Sequence, residues 1–158
     1  MAESNERISF IFSRAAALCS RAEKSPLSIH KKTIQWGLTS DEAETVLQKL
    51  FEHNFLNEQR FASSYVRDKY RFNRWGRIKI VHHLKNEGIS ANCIALALQE
   101  IDIDAYEQNL LDLLTEKYKK TKAKDAYRLR LKVIRYAQSR GFESNMIFDT
   151  YNTLISDN

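Results

Sequence analysis

The sequence predicts an all-α protein, a tandem array of three three-helix repeats. Three observations carry this. Four Gly and one Pro in 158 residues are few for an all-β chain, which needs many turns. Apolar residues recur at helical spacing throughout, with no alternating strand pattern. Gly37, Gly88 and Gly141 stand 51 and 53 positions apart, each followed by an apolar residue (Leu38, Ile89, Phe142) and then by a polar residue able to cap.

From Glu6 to Lys24, the residues Ile8, Phe12, Ala15, Ala16 and Cys19 form one apolar stripe, the first helix. Ser25 caps the next, with Pro26 in a first turn where its missing N–H costs nothing. Gly37 ends that helix after Trp36. Thr39-Ser-Asp-Glu42 is a capping-box pattern in front of Ala43, Val46, Leu47 and Leu50. Asn57 caps a helix bearing Phe61, Ala62, Tyr65 and Val66. After Gly76, the residues Ile80, Val81 and Leu84 line a short helix to Gly88, and Ser90 caps its partner with Ile94, Ala97, Leu98 and Ile101. Asp102 or Asp104 opens a longer helix through Tyr106, Leu110, Leu113 and Leu114. The last pair runs through Leu131, Ile134 and Ala137 to Gly141, then from Ser144 through Ile147, Phe148 and Tyr151.

The glycines bring a wider register with them. Ile29, Ile80 and Val133 stand eight before them; Ala43, Ile94 and Ile147 six after; Leu47, Leu98 and Tyr151 ten after. An αL residue just past a helix end accounts for each glycine. Modules this small bury little alone, so they share contacts with neighbours or form an elongated row. The repeat sets boundaries at 1–24 for a leading helix, then 25–72, 73–122 and 123–158.

Charge is unevenly spread. Residues 60–85 hold eight Lys/Arg and one acid (Asp68), and residues 117–135 nine and one acid (Asp125), so the rest of a chain of net charge +5 carries −10. Two basic segments in an acidic frame favour a polyanion or an acidic protein groove as partner. No basic-then-apolar leader opens the chain and no apolar run approaches a membrane span, so a cytoplasmic protein without a membrane partner is expected. Cys19 and Cys93 read as reduced, buried thiols.

Enzyme signatures are missing: no Walker loop, GxSxG elbow, HExxH or CxxC. His82 and His83 point about 100° apart on a helix and do not converge on a metal. Asp102 and Asp104 read as caps, not as a carboxylate cluster. Neither catalysis, a metal nor a cofactor is expected.

In "RDKYRFNRWGRIKI", Arg67, Lys69, Arg71, Arg74, Arg77 and Lys79, with Lys85 beyond, are candidate phosphate contacts. Were the helix to persist, Arg67, Arg71 and Arg74 would form one stripe. Tyr70, Phe72 or Trp75 suit base stacking; the opposing reading packs Tyr65, Phe72 and Trp75 at a joint that Gly76 lets turn. In "KYKKTKAKDAYRLRLKVIR", Arg128, Arg130, Lys132 and Arg135 share a helix with an apolar stripe, behind a loose stretch at Lys119, Lys120, Lys122 and Lys124.

"LNEQRFASSYVRDKYRFNRWGRIKIVHHLKNEGIS", Leu56 to Ser90, resembles the core signature of the RecX family of bacterial RecA regulators. That signature joins an acidic-Arg-Phe-Ala element, an aromatic-Val-Arg helix and a Gly-basic-Ile-Leu-Gly-Ile segment. The three-unit layout and "RGF" at Arg140–Phe142 are similar too, from about Ala15 to Tyr151. Thr33 departs from a leucine position, and Asn57-Glu58 from paired acids. The resemblance implies an elongated, curved array of three-helix repeats, monomeric, that binds the RecA filament along its groove and meets single-stranded DNA through it. It implies inhibition of ATP hydrolysis, strand exchange and coprotease activity without catalysis of its own. A sequence-tolerant DNA-binding protein acting without a recombinase fits the same basic segments, and a small nuclease is a third class, disfavoured by the missing metal ligands.

Overall fold

The computed structural model describes residues 1–157, and among these it is all helix: α1 (Ala2–Arg21), α2 (Pro26–Gln35), α3 (Ser40–Glu52), α4 (Glu58–Arg71), α5 (Arg77–Asn86), α6 (Ala91–Leu98), α7 (Ile103–Lys120), α8 (Ala126–Ser139) and α9 (Ser144–Ser156). The expected helices are all present. α1 starts four residues earlier than its stripe suggests, with Glu3 in a first turn where the helix dipole favours an acid. It stops at Arg21, where Ala22 turns extended.

The chain divides into two compact units. One comprises Met1–Ser64 with Leu84–Leu96, the other Tyr65–His83 with the chain from Ala97 onward, so α4, α5 and α6 give residues to both.

In the first unit α1, α2 and α3 pack pairwise over Ile8, Ile11, Ile29, Val46 and Leu50. Phe12 meets Phe55 edge-on at 6.0 Å. Ser25 caps α2 by accepting from the Ser28 N–H at 3.1 Å, and its own hydroxyl donates to Glu87 at 2.5 Å. The Thr39–Glu42 capping box forms as its pattern predicts, and it does more. Glu42 also accepts from Arg7 at 2.7 Å and from Ser4 at 3.0 Å, tying the start of α3 to α1. These donors, Arg7 foremost, hold the Glu42 carboxyl at about 2. Thr33 is fully buried; its hydroxyl is satisfied by the His30 carbonyl at 2.8 Å.

In the second unit α7, α8 and α9 pack pairwise around Leu110, Leu114, Val133, Ala137, Ile147 and Tyr151. Buried Tyr106 lies 5.1 Å from Phe142 and donates to Glu143 at 2.5 Å. Its hydroxyl accepts from the Arg77 N–H at 2.9 Å, while the Arg77 guanidinium pairs with Glu143 at 2.6 Å. One network thereby joins the starts of α5 and α9 to α7. Burial first, then the bond to Glu143, pushes the Tyr106 phenol well above its ordinary range.

The glycine repeat resolves into one device used three times. Gly37, Gly88 and Gly141 have φ of +103°, +74° and +93°. Each N–H bonds three residues back (to Ile34, Lys85 and Gln138), and the next N–H bonds five back (Leu38 to Thr33, Ile89 to Leu84, Phe142 to Ala137). Those are the paired bonds of a Schellman helix end, with a buried apolar residue closing each. Of the nine residues in register around the glycines all are buried except Leu98, which is half-buried, so the repeat is a repeat of core positions.

Gly76 behaves differently from its expected role as a turn. The positive φ there belongs to Arg74, at 52°. Gly76 is glycine because its backbone lies against Gly141: its N–H donates to the Arg140 carbonyl at 2.8 Å, and a Cβ would overlap the Gly141 carbonyl group.

Candidate polyanion interface

The first basic segment leaves the single stripe that unbroken helix would give. α4 ends at Arg71, and Arg74, with its left-handed backbone, turns off the face shared by Arg67 and Arg71. Three of its arginines are taken up internally: Arg67 pairs with Glu100 at 2.8 Å, Arg74 with Glu116 at 3.0 Å and Arg77 with Glu143 at 2.6 Å. Lys69 and Lys79 place their ammonium groups 4.8 and 4.4 Å from the Trp75 ring centre, and His83 lies 4.8 Å from the same ring. Trp75 is thus a half-buried hub between two cations. Arg71 is exposed and donates to the Tyr70 hydroxyl at 3.2 Å, the main cause of its raised pKa. Lys85, exposed on α5, belongs to the other unit.

Two aromatic expectations fail. Tyr70 is 1% exposed, its carbonyl held by Asn109, so it offers no face for stacking. Phe72 is 81% exposed, just past the end of α4, so it packs no joint. Tyr65 does meet Trp75 edge-on at 6.4 Å.

The second segment is less neutralised. Lys117 lies over Tyr136 at 4.6 Å, and Arg130 over Tyr151 at 5.1 Å while donating to Asn152 at 3.0 Å. Arg128 is 3.7 Å from Asp125, and Lys132 donates to the Lys122 carbonyl at 3.1 Å. Arg135, Lys119, Lys120, Lys122 and Lys124 are exposed, and among the described residues no acid stands within ion-pair distance of them. Sequence gives both segments nearly equal charge; the fold leaves the larger free share at 117–135. The acids that make this difference, Glu100, Glu116 and Glu143, were missed. Nothing local in sequence marks which arginine each meets.

Among the described residues no group of three or more His, Cys, Asp or Glu is arranged to hold a metal. The His82 and His83 rings stand edge to face at 5.9 Å. Cys19 and Cys93 are free and half-buried, and burial raises the Cys19 thiol pKa. No helix among the described residues is long and apolar enough to cross a membrane.

Three-helix units carrying two basic segments define an all-helical repeat protein. Descriptions of the second and third three-helix domains of RecX match residues 57–98 and 104–150. The regulatory protein RecX of Pseudomonas fluorescens is 32% identical over 133 residues, 84% of each chain. That of Herbaspirillum seropedicae is 31% identical over 145 residues, 91% of this chain and 90% of its own. The Clostridium perfringens (strain 13) protein is 28% identical over 134 residues, and this chain spans only 60% of its length. The crystal structure of RecX from Lactobacillus salivarius shares the fold, with a TM-score of 0.82 over 95% of this chain and 97% of that one at 19% identity. The chain belongs to the RecX family of regulatory proteins.

Proposed function

We propose that this chain is a negative regulator of the RecA recombinase. It binds the RecA–DNA filament along its groove and holds down ATP hydrolysis, strand exchange and coprotease activity. In that role it acts in DNA repair and recombination as a cytoplasmic monomer, by binding and not by catalysis. Family membership across both basic segments is the observation that carries the reading. The physics is compatible: several weak contacts from repeated units accumulate avidity without a deep pocket. Free cations steer such a protein toward a polyanionic filament and make association salt-sensitive.

The contact set begins with Arg71, Lys85 and Arg135, which are exposed and unpaired with acids, and extends through Lys69, Lys79, Arg128, Arg130 and Lys132. Arg67, Arg74 and Arg77 join it by exchanging glutamate for the partner, at little cost for the two more exposed pairs. The deciding experiment measures RecA ATPase and strand exchange with substoichiometric protein. Inhibition is expected; no effect at saturation sinks the reading. Charge reversal at Arg71, Lys85 and Arg135, away from the structural ion pairs, should weaken inhibition while leaving the helical melt in place.

The unpaired lysines of the second segment favour a second reading, a sequence-tolerant DNA-binding protein that needs no recombinase. Titration against naked single strand, RecA alone and the filament separates the two. Tightest binding to the filament favours the regulator; equal binding to naked DNA favours the alternative.

A further inference from the structure

Lys122, Ala123, Lys124, Arg128 and Lys132 line one surface hollow of about 480 Å³. Its construction is local. The chain leaves α7 at Lys120 and enters α8 at Ala126, and the connection brings Lys122 and Lys124 to the hollow. Arg128 and Lys132 stand four apart, on the same side of α8. Ala123, the one uncharged lining residue, puts no bulk between the cations.

Three of the four charges have no acid to balance them; Arg128 alone has one. Asp125 is the only carboxylate of the segment, and its Oδ1 accepts from the Arg128 N–H at 2.8 Å as the α8 cap. Its Oδ2 is 3.7 Å from the Arg128 guanidinium. No acid among the described residues lies within ion-pair distance of Lys122, Lys124 or Lys132. Lys132 is nevertheless fixed: its ammonium donates to the Lys122 carbonyl at 3.1 Å, which leaves further N–H groups for a ligand. A charge held in place before binding loses less freedom when an anion arrives.

Four cations around one hollow repel each other until an anion joins them. A lone carboxylate supplies one charge and two oxygens. Phosphate groups in series supply a charge each and enough oxygens to reach ammonium and guanidinium donors on both the loop and the helix. The geometry points to a phosphate-binding hollow at 122–132 that takes adjacent phosphate groups, from the backbone of a single nucleic-acid strand or from a free polyphosphate. It works on the protein alone, without a recombinase.

The test is fluorescence anisotropy of a short labelled oligothymidylate with the full chain, across a series of salt concentrations and without recombinase. The variant changes Lys122→Gln, Lys124→Gln and Lys132→Gln together. A control triple, K31Q/K32Q/K49Q, removes three exposed lysines from the other unit. Circular-dichroism melts confirm that both triples fold. The hollow triple should weaken binding roughly tenfold or more and reduce the slope of log K against log salt by about 2, as expected for three lost contacts to a single strand. The control triple should change neither.

Sodium tripolyphosphate supplies the second arm. If it displaces the oligonucleotide from wild type but not from the hollow triple, free polyphosphate occupies the site as well. If it fails to compete while the triple still weakens the oligonucleotide, the strand backbone is the source. The proposal is overturned if the hollow triple keeps wild-type affinity and slope, if the control triple loses as much, or if neither anion binds the wild type. The inference rests on the second reading above, DNA binding without a recombinase, whereas the regulatory reading is decided separately by the ATPase and strand-exchange assay.

Discussion

Arg77 joins a backbone and a side-chain role that sequence keeps apart. Its N–H meets the Tyr106 hydroxyl at 2.9 Å, its guanidinium meets Glu143 at 2.6 Å, and the same guanidinium lies 4.2 Å from the Tyr106 ring centre. Tyr106 is completely buried, so losing its hydroxyl strips a donor from the Glu143 carboxylate and an acceptor from Arg77 with little water to replace either. Tyr106→Phe should therefore destabilise the second unit by about 2 kcal/mol, read by urea denaturation. Gly76 gives a steric counterpart. Its α-carbon faces the Gly141 carbonyl group, backbone against backbone, with no flexible side chain to yield. Gly76→Ala should cost about 3 kcal/mol in the same measurement, the upper end for overpacking.

At the scale of elements, most of what sequence announces is local, and local signals hold. Ser25, Thr39, Asn57, Ser90 and Asp102 each accept the backbone N–H their cap position implies. The three glycines end their helices because an αL residue there is a short-range demand that sequence must satisfy on the spot. What sequence hides is long-range. Arg67, Arg74 and Arg77 find glutamates 33, 42 and 66 positions away. For that reason a segment rich in arginine looks freer in sequence than it is. Phe72 and Tyr70 make the same point: two aromatics in one basic run, one exposed and one buried, divided by where α4 ends. The α3 cap offers a test of element coupling. Glu42 titrates at about 2 when folded against an ordinary 4.5, so its contribution is complete above about 4.5 and is lost as pH falls toward 2. Glu42→Gln should flatten the fall in melting temperature across that window; an unchanged pH profile would show that Arg7, Ser4 and the Thr39 cap do not stabilise the native carboxylate.

For the molecule as a whole, two segments of similar sequence charge differ in what they leave open. Internal pairing at 67–77 and lack of it at 119–124 concentrate accessible charge on the second of the two segments. On the proposed function, filament affinity should accordingly fall steeply with added salt, and the fall should be shallower after neutralising lysines at 119–132 than after neutralising Lys69 and Lys79. Binding isotherms at several ionic strengths check the order. The two tryptophans add an optical consequence. Trp36 lies under the Arg14 guanidinium at 4.1 Å in one unit, and Trp75 between Lys69 and Lys79 in the other. Each unit thus carries its own intrinsic fluorophore beside a cation. Emission from single-tryptophan variants, W36F and W75F, would follow the two units separately, and distinct melting midpoints would show that heat dismantles the protein in two steps.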